Sequence, residues 1–171
     1  KGSSSFTLKP GYQYDLLVHD TKGFERDIYG FVCSEARNGG VNDYDGRMVF
    51  YKQDKDPNRY QFAFAMPLSS GLTGRQYVFY NTYQPSLDPK DVDNLAANWI
   101  QVTNMEKSKQ TGNLVFYDRR RKELSKVEVS LKGGSRFDYS GHDQAGHSQV
   151  GLVEWVPTRS NARFQLRNVR Y

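Results

Sequence analysis

Cysteine is nearly missing from this chain: Cys33 stands alone among 171 residues. An internal disulfide is therefore excluded, and so is a cysteine-based metal site. Long apolar runs are missing too. No stretch reaches the ~18 residues that a membrane-spanning helix needs, so membrane insertion is not expected. The opening Lys1-Gly2-Ser3-Ser4-Ser5 has neither the apolar stretch of a secretion signal nor an initiator Met. It reads as a Ser-rich linker at the start of a piece of a longer protein. Helical periodicity is scarce. Only Asp88 to Ala97 carries it, with Asp88 as cap, Pro89 in the first turn, and Val92, Leu95 and Ala96 on one face. No nucleophile–base pair, paired-acid signature or phosphate loop stands out, so the chain is not expected to be an enzyme or to need a cofactor.

Aromatic residues are what the chain has in surplus. They make up 14% of it, with 12 Tyr and 10 Phe, beside 25% charged residues. That mixture buries a core and is too aromatic for a disordered chain. The net charge of +5 is modest for this size. It suits anionic glycans or surfaces as partners, and a nucleic-acid partner is not expected. Cys33 follows the apolar Tyr29–Val32 run and reads as a small buried hydrophobe.

Period-two patterning dominates. From Ser125 to Leu131, Val127, Val129 and Leu131 face one way while Lys126, Glu128 and Ser130 face the other, as in a half-buried antiparallel strand. Gly112–Tyr117 makes its partner, and the polar Asp118–Glu123 segment between them marks a hairpin. Lys132-Gly133-Gly134-Ser135 is a turn leading into Arg136–Tyr139. Further strands are expected at Tyr12–Val18, Asp27–Val32, Gly46–Lys52, Tyr60–Ala65, Gln76–Tyr83, Asn98–Asn104, Gln149–Val156 and Ala162–Tyr171. Many short strands with one or two helical turns at most predict an all-β fold, an antiparallel sandwich.

The chain also repeats itself. Leu8-Lys9-Pro10-Gly11-Tyr12-Gln13-Tyr14-Asp15 and His19-Asp20 are echoed by Leu131-Lys132-Gly133-Gly134-Ser135-Arg136-Phe137-Asp138 and His142-Asp143, at an offset of 123. Gly30-Phe31-Val32 and Arg59-Tyr60-Gln61-Phe62 return as Gly151-Leu152-Val153 and Arg163-Phe164-Gln165-Leu166, in the same order. A weaker match joins Gly46–Tyr51 to Gly112–Tyr117 in a conflicting register. The expectation is one body, 1–171, built from two related β-rich halves; the alternative is two small sandwiches, 1–85 and 86–171.

Several residues invite a functional reading. His142-Asp143-Gln144-Ala145-Gly146-His147 places two imidazoles and a carboxylate together, but His19-Asp20 lacks a counterpart of His147, which favours a turn over a metal site. Gly146–Gly151 resembles a serine-hydrolase elbow, yet Val150 stands where Gly is required and a strand follows. Asn42-Asp43-Tyr44-Asp45-Gly46 suggests a calcium loop, but Val41 and Lys52 break the pattern, and a solvated hairpin loop is favoured there and at Asp88, Asp91 and Asp93. Arg119, Arg120 and Arg121 form, with Lys122, the densest basic run, fit to meet sulfate or phosphate at a hairpin tip. Arg163 and Arg167 share a strand face by period two. Tyr77, Phe79 and Tyr83 fall on one strand face, and Val78 and Tyr80 on the other. Twelve Tyr exceed what a core wants; Tyr80, Tyr83 and Gln84 are the first candidates for an exposed sugar-stacking group, while Trp99 and Trp155 read as core.

Trp99-Ile100-Gln101-Val102-Thr103-Asn104, Leu114–Asp118, Val129-Ser130-Leu131, Gly134–Asp138, His142 and Gly151–Glu154 followed by Pro157 resemble an immunoglobulin-like β-sandwich module of large bacterial surface and secreted proteins. The resemblance covers 99–171 and carries no catalytic residues. It implies an extracellular or cell-surface setting with neighbouring domains. The function expected is a non-catalytic interaction or spacer module serving adhesion or assembly, whose partner is a polysaccharide or another surface protein. The alternative is a carbohydrate-binding module for an anionic polysaccharide, and a hydrolase stands further off.

Overall fold

The computed structural model describes residues 3–18, 32–40, 43–56, 58–83 and 97–170. The chain divides into two compact units, Lys1–Asp45 and Gly46–Tyr171. The division falls at residue 45, whereas the sequence suggested one body with a division at residue 85 as the alternative.

The described residues of the first unit form no strand. The strand expected at Tyr12–Val18 is therefore not formed, and Tyr12 and Tyr14 lie exposed. A turn survives: the Tyr12 N–H donates to the Lys9 carbonyl at 3.1 Å, with Gly11 at φ 76°. Phe6 stacks on Tyr14 with ring centroids 4.2 Å apart. Asp43 binds inside its own loop, accepting from the Gly40 N–H. Cys33 is exposed, which corrects the expectation of a buried thiol. The strand expected at Asp27–Val32 lies almost wholly outside the described residues.

The second unit is an antiparallel β-sandwich, and its fold is all-β. It opens with a paired ribbon, β1 (Arg47–Gln53) and β2 (Tyr60–Pro67). Among the described residues eight strands follow: β3 (Leu72–Thr73), β4 (Gln76–Asn81), β5 (Asn98–Asn104), β6 (Gln110–Asp118), β7 (Glu123–Leu131), β8 (Arg136–Ser140), β9 (Val150–Pro157) and β10 (Arg163–Arg170). They form two four-stranded sheets, ordered β3-β10-β5-β8 and β4-β9-β6-β7. Only the β6–β7 hairpin joins neighbours within one sheet; the other links between consecutive strands from β3 to β10 cross from sheet to sheet. Strands on either side of residue 85 pair with each other, β3 with β10 and β4 with β9, so a division into 1–85 and 86–171 does not match the pairing.

Alternation fills the interior as the pattern required. Leu114 and Phe116 of β6, Val129 and Leu131 of β7, Val153 and Trp155 of β9 and Tyr80 of β4 meet Ile100, Val102, Phe164 and Leu166 of the other sheet. Trp155 and Phe164 bridge the layers with centroids 4.7 Å apart. Each such burial contributes about 2–3 kcal/mol.

Three buried polar side chains lock the layers. Gln76 donates to the Leu72 and Phe164 carbonyls and accepts from the Leu166 N–H, tying β4 to β10. Asn104 donates to the carbonyls of Ser108, Leu131 and Lys132 and accepts from the Glu106 N–H. Thr82 donates to the Gly146 carbonyl at 2.6 Å and accepts from the Gln149 N–H. The free edge of β4 is guarded as well: Asn168 caps the Phe79 carbonyl and Arg170 the Tyr83 carbonyl, which blunts an edge open to pairing with another chain.

One short helix, α1 (Gly141–Ala145), stands between β8 and β9. The sequence suggested a plain turn at His142-Asp143. Ser140 caps the helix by accepting from the Asp143 N–H. The helix expected at Asp88–Ala97 lies outside the described residues, apart from Ala97. Among the described residues, no helix is long and apolar enough to cross a membrane.

Candidate functional site on the outer face of the second sheet

Strand alternation in β4 sends Gln76 and Tyr80 inward and Tyr77 and Phe79 outward. The expectation that Tyr80 is exposed fails: it is 1% exposed, packs edge-on against Phe116, and donates its hydroxyl to the Tyr117 carbonyl at 3.0 Å. Burial, followed by the nearby Asp118 charge, pushes its hydroxyl above the usual tyrosine range. Tyr80 is a core residue because β4 turns its even-numbered positions toward the opposite sheet. Phe79, by contrast, is 76% exposed. Tyr83 is exposed at 54% but lies beyond the end of β4 at Asn81, so it does not extend the strand face. Gln84 lies outside the described residues.

The outer face of this sheet carries a built arrangement. Phe79, Leu152 and Tyr117 lie in register across β4, β9 and β6. Two residues along, on the same face, Tyr77 stands opposite Glu154. Glu154 is only 6% exposed, and its carboxylate accepts from the Arg75 guanidinium and the Tyr77 hydroxyl on Oε1 and from the Tyr117 hydroxyl on Oε2, at 2.9, 2.9 and 3.0 Å. A carboxylate taken from water on a sheet face needs this full set of donors. The Tyr77 hydroxyl and then the Glu154 charge raise the Arg75 guanidinium further. Desolvation and then the bond to Glu154 push the Tyr117 hydroxyl up. The network fixes two aromatic rings on the surface. Sequence reasoning missed it, although a lone Glu inside the apolar run Val150–Pro157 was the available signal.

The basic run sits at the end of the same sheet. Asp118 closes the β6–β7 hairpin: its carboxylate accepts from the Arg120 and Lys122 N–H groups at 2.8 and 2.9 Å, and Arg121 takes φ 64°. Arg119 and Arg120, with Asp118, Ser148, Gln149 and Val150, line a depression of ≈ 440 Å³. Arg121 does not line it. Arg163 and Arg167 do share a face, but it belongs to the other sheet. There Arg163 pairs with Glu106 at 3.2 Å, and Arg167 bonds the Met66 sulfur and the Pro67 carbonyl. Burial, and then the nearby Arg136, lower the Arg167 guanidinium.

The remaining candidates resolve locally. The His142 and His147 rings sit 5.4 Å apart, tilted by 49°. Among the described residues, no group of three or more His, Cys, Asp or Glu side chains is placed to hold a metal ion. Ser148 takes φ 57°, but β9 follows it where a hydrolase elbow requires a helix. Trp155 lies in the core, and Trp99 is half-buried on the outer side of β5.

No protein-family model and no curated protein matches the chain. Among solved structures, an Anabaena sensory rhodopsin transducer is similar over 60% of this chain and 99% of its own, with a TM-score of 0.47 and 8% identity.

Proposed function

We propose that this chain is a non-catalytic interaction module of a larger bacterial surface or secreted protein, acting outside the cell and meeting its partner through the outer face of the second sheet. One observation carries the reading: Phe79 and Tyr77 stand exposed on a hydrogen-bonded sheet face, with Tyr77 held by the buried Glu154. An aromatic ring kept on the surface by its own polar bonding is contact area ready for a partner, at small entropic cost on binding. The polar bonding around Glu154 leaves its carboxylate saturated by donors, which favours positioning over proton transfer. A spacer that binds nothing would have no use for an ordered aromatic face.

A carbohydrate-binding module is the second reading, favoured by the Arg119–Arg120 depression at the end of the same sheet. A glycan array probed at low and high salt separates the two. Signal that falls with Phe79→Ala supports the carbohydrate reading; silence under both conditions assigns the face to a protein partner. Release of cleaved sugar from the array would overturn the non-catalytic reading.

A further inference from the structure

Two loops and one sheet face converge at the end of β6 and β9. The hairpin tip supplies Arg119 and Arg120, and the loop ahead of β9 supplies Ser148 and Gln149, around a depression of ≈ 440 Å³. Asp118 also lines the depression, and its Oδ1 accepts from the hairpin's own Arg120 and Lys122 N–H groups. Among the described residues, neither Arg119 nor Arg120 belongs to an ion pair. Two guanidinium groups at a concave surface without a carboxylate partner favour an oxyanion, which they grip through paired N–H donors.

The loop backbones add a second observation. Arg121 and Ser148 are the non-glycine residues at positive φ among those described, at 64° and 57°. One stands in each loop bordering the depression. The Arg121 conformation closes a three-residue hairpin. Ser148 stands in the turn that leads into β9, and its N–H bonds the Thr82 carbonyl at 3.1 Å, with Thr82 itself buried. A side chain kept in that region by its surroundings is a feature of ligand-contacting loops.

The third observation is the neighbour of the depression. Val150 lines it and is exposed; two residues on, Leu152 on the same face joins Phe79 and Tyr117 in one row. Two residues along a strand span ~7 Å, a distance that one hexose ring crosses. Through Val150 the depression thus adjoins the face that carries Leu152 and Phe79.

We propose that this surface is a binding site for an acidic saccharide. The C–H face of one ring stacks on Phe79 beside Leu152, the carboxylate or sulfate of the next enters the depression against Arg119 and Arg120, and Ser148 and Gln149 meet its hydroxyls. The proposal rests on the carbohydrate reading above and assigns it a place and a charge.

The test is titration of the whole chain, followed by amide NMR and calorimetry, with trigalacturonate, with neutral trigalactose and with inorganic sulfate alone. Trigalacturonate is expected to shift amides at 119–120 and 148–152 and to weaken steeply with salt. The Arg119→Ala/Arg120→Ala and Phe79→Ala variants each reduce its affinity by at least ~10-fold at unchanged melting temperature. Binding that survives both variants overturns this site and leaves a glycan reading intact elsewhere on the molecule. Equal binding of trigalactose overturns the charge assignment. Sulfate binding as tightly as the trimer reduces the site to a bare oxyanion cradle and overturns the saccharide. Silence toward all three, with a functional array signal for another glycan, overturns the site alone; silence on both assays removes the carbohydrate reading with it.

Discussion

Leu8–Asp15 and Leu131–Asp138 share Leu, Lys, Gly and Asp at matching positions and meet different fates. Both form the same turn. In each, the N–H of the fourth residue donates to the carbonyl of the first, from Tyr12 to Lys9 at 3.1 Å and from Ser135 to Lys132 at 3.2 Å. In each the third residue is a glycine at positive φ, Gly11 at 76° and Gly134 at 64°, the sign pattern of a type II turn. Only the second copy is flanked by strands, because only there do β5 and β6 offer ladders to pair with. A turn is written in four residues; a strand is written in its neighbours. Among the described residues, the 123-residue echo shows as shared turn chemistry, and the first copy forms no strand. The weaker self-match fares likewise: β1 lies in the two-stranded ribbon and β6 inside the sandwich.

The sharpest way to break the comparison is to exchange the second residue of the turn, one of the two positions at which the copies differ (Tyr12 against Ser135 is the other). Position two of the turn is Pro10 in the first copy and Gly133 in the second. Proline is the favoured residue there by local geometry. At 133 a Cβ would come 2.0 Å from the Lys107 carbonyl oxygen, which is backbone and cannot swing aside. Gly133→Pro is thus expected to destabilise the sandwich by ~3 kcal/mol through forced separation of the turn from the β5–β6 loop. Urea unfolding followed by near-ultraviolet circular dichroism reads the loss. A variant as stable as the parent would mean that the turn is not docked.

The next effect isolates what docks it. Asn104 reaches the Leu131 and Lys132 carbonyls, its own backbone N–H donates to the Ser135 carbonyl, and the Gly134 N–H reaches Glu106. Asn104→Ala leaves three buried or half-buried carbonyls without their side-chain donor, for an expected loss of about 2–3 kcal/mol. Asn104→Asp tests the sign: acceptors replace donors, so it is expected to be no better than Ala in chemical denaturation at neutral pH.

Much of this was legible in the residues. Val127, Val129 and Leu131 announced their face, and each strand of the sandwich but the two-residue β3 was foreseen within two residues of its ends, because period-two alternation is dictated by burial on one side. What alternation cannot say is which of two apolar faces turns inward. Tyr77 and Phe79 against Val78 and Tyr80 is such a tie, broken by Gln76, whose amide bonds β10, and not by any feature of β4 itself. The helix α1 is too short to show a period, although Ser140 three residues before Asp143 was a capping signal in plain view. Arg119 and Arg120 were legible as a basic tip, but their depression needs Ser148 and Gln149, brought in by the β9 pairing. The Arg75–Tyr77–Tyr117 claim on Glu154 likewise exists only in the register.

A smaller effect separates the sandwich's tyrosines by pH. Tyr80 and Tyr139 are raised by burial, and Tyr117 by desolvation and Glu154. A hydroxyl whose folded value lies above its unfolded one favours the neutral fold. That contribution is complete below the ordinary tyrosine value of 10.0 and is lost as pH rises through the folded values. Stability is therefore expected to fall above about pH 10, later for Tyr80→Phe than for the parent. Ultraviolet titration of the phenolates, run beside the denaturation midpoint, checks the coincidence of the two.

The smallest effect completes the exchange begun at Gly133. Pro10→Gly removes a residue suited to its turn position, but Pro10 lies exposed, and a Cβ at the adjoining Gly11 would meet nothing within 4 Å. The change widens the unfolded ensemble of a local turn, an effect of ~0.4–1 kcal/mol confined to that turn. The sandwich's denaturation midpoint is expected to stay within ~0.5 kcal/mol of the parent, while the amide of Tyr12 exchanges faster as its bond to Lys9 opens more often. The same two residue types, exchanged in opposite directions at equivalent turn positions, should then differ several-fold in free energy. If Pro10→Gly unfolded the sandwich as Gly133→Pro is expected to, turn preference rather than docking against Lys107 would set the cost, and the contrast between the two copies would dissolve.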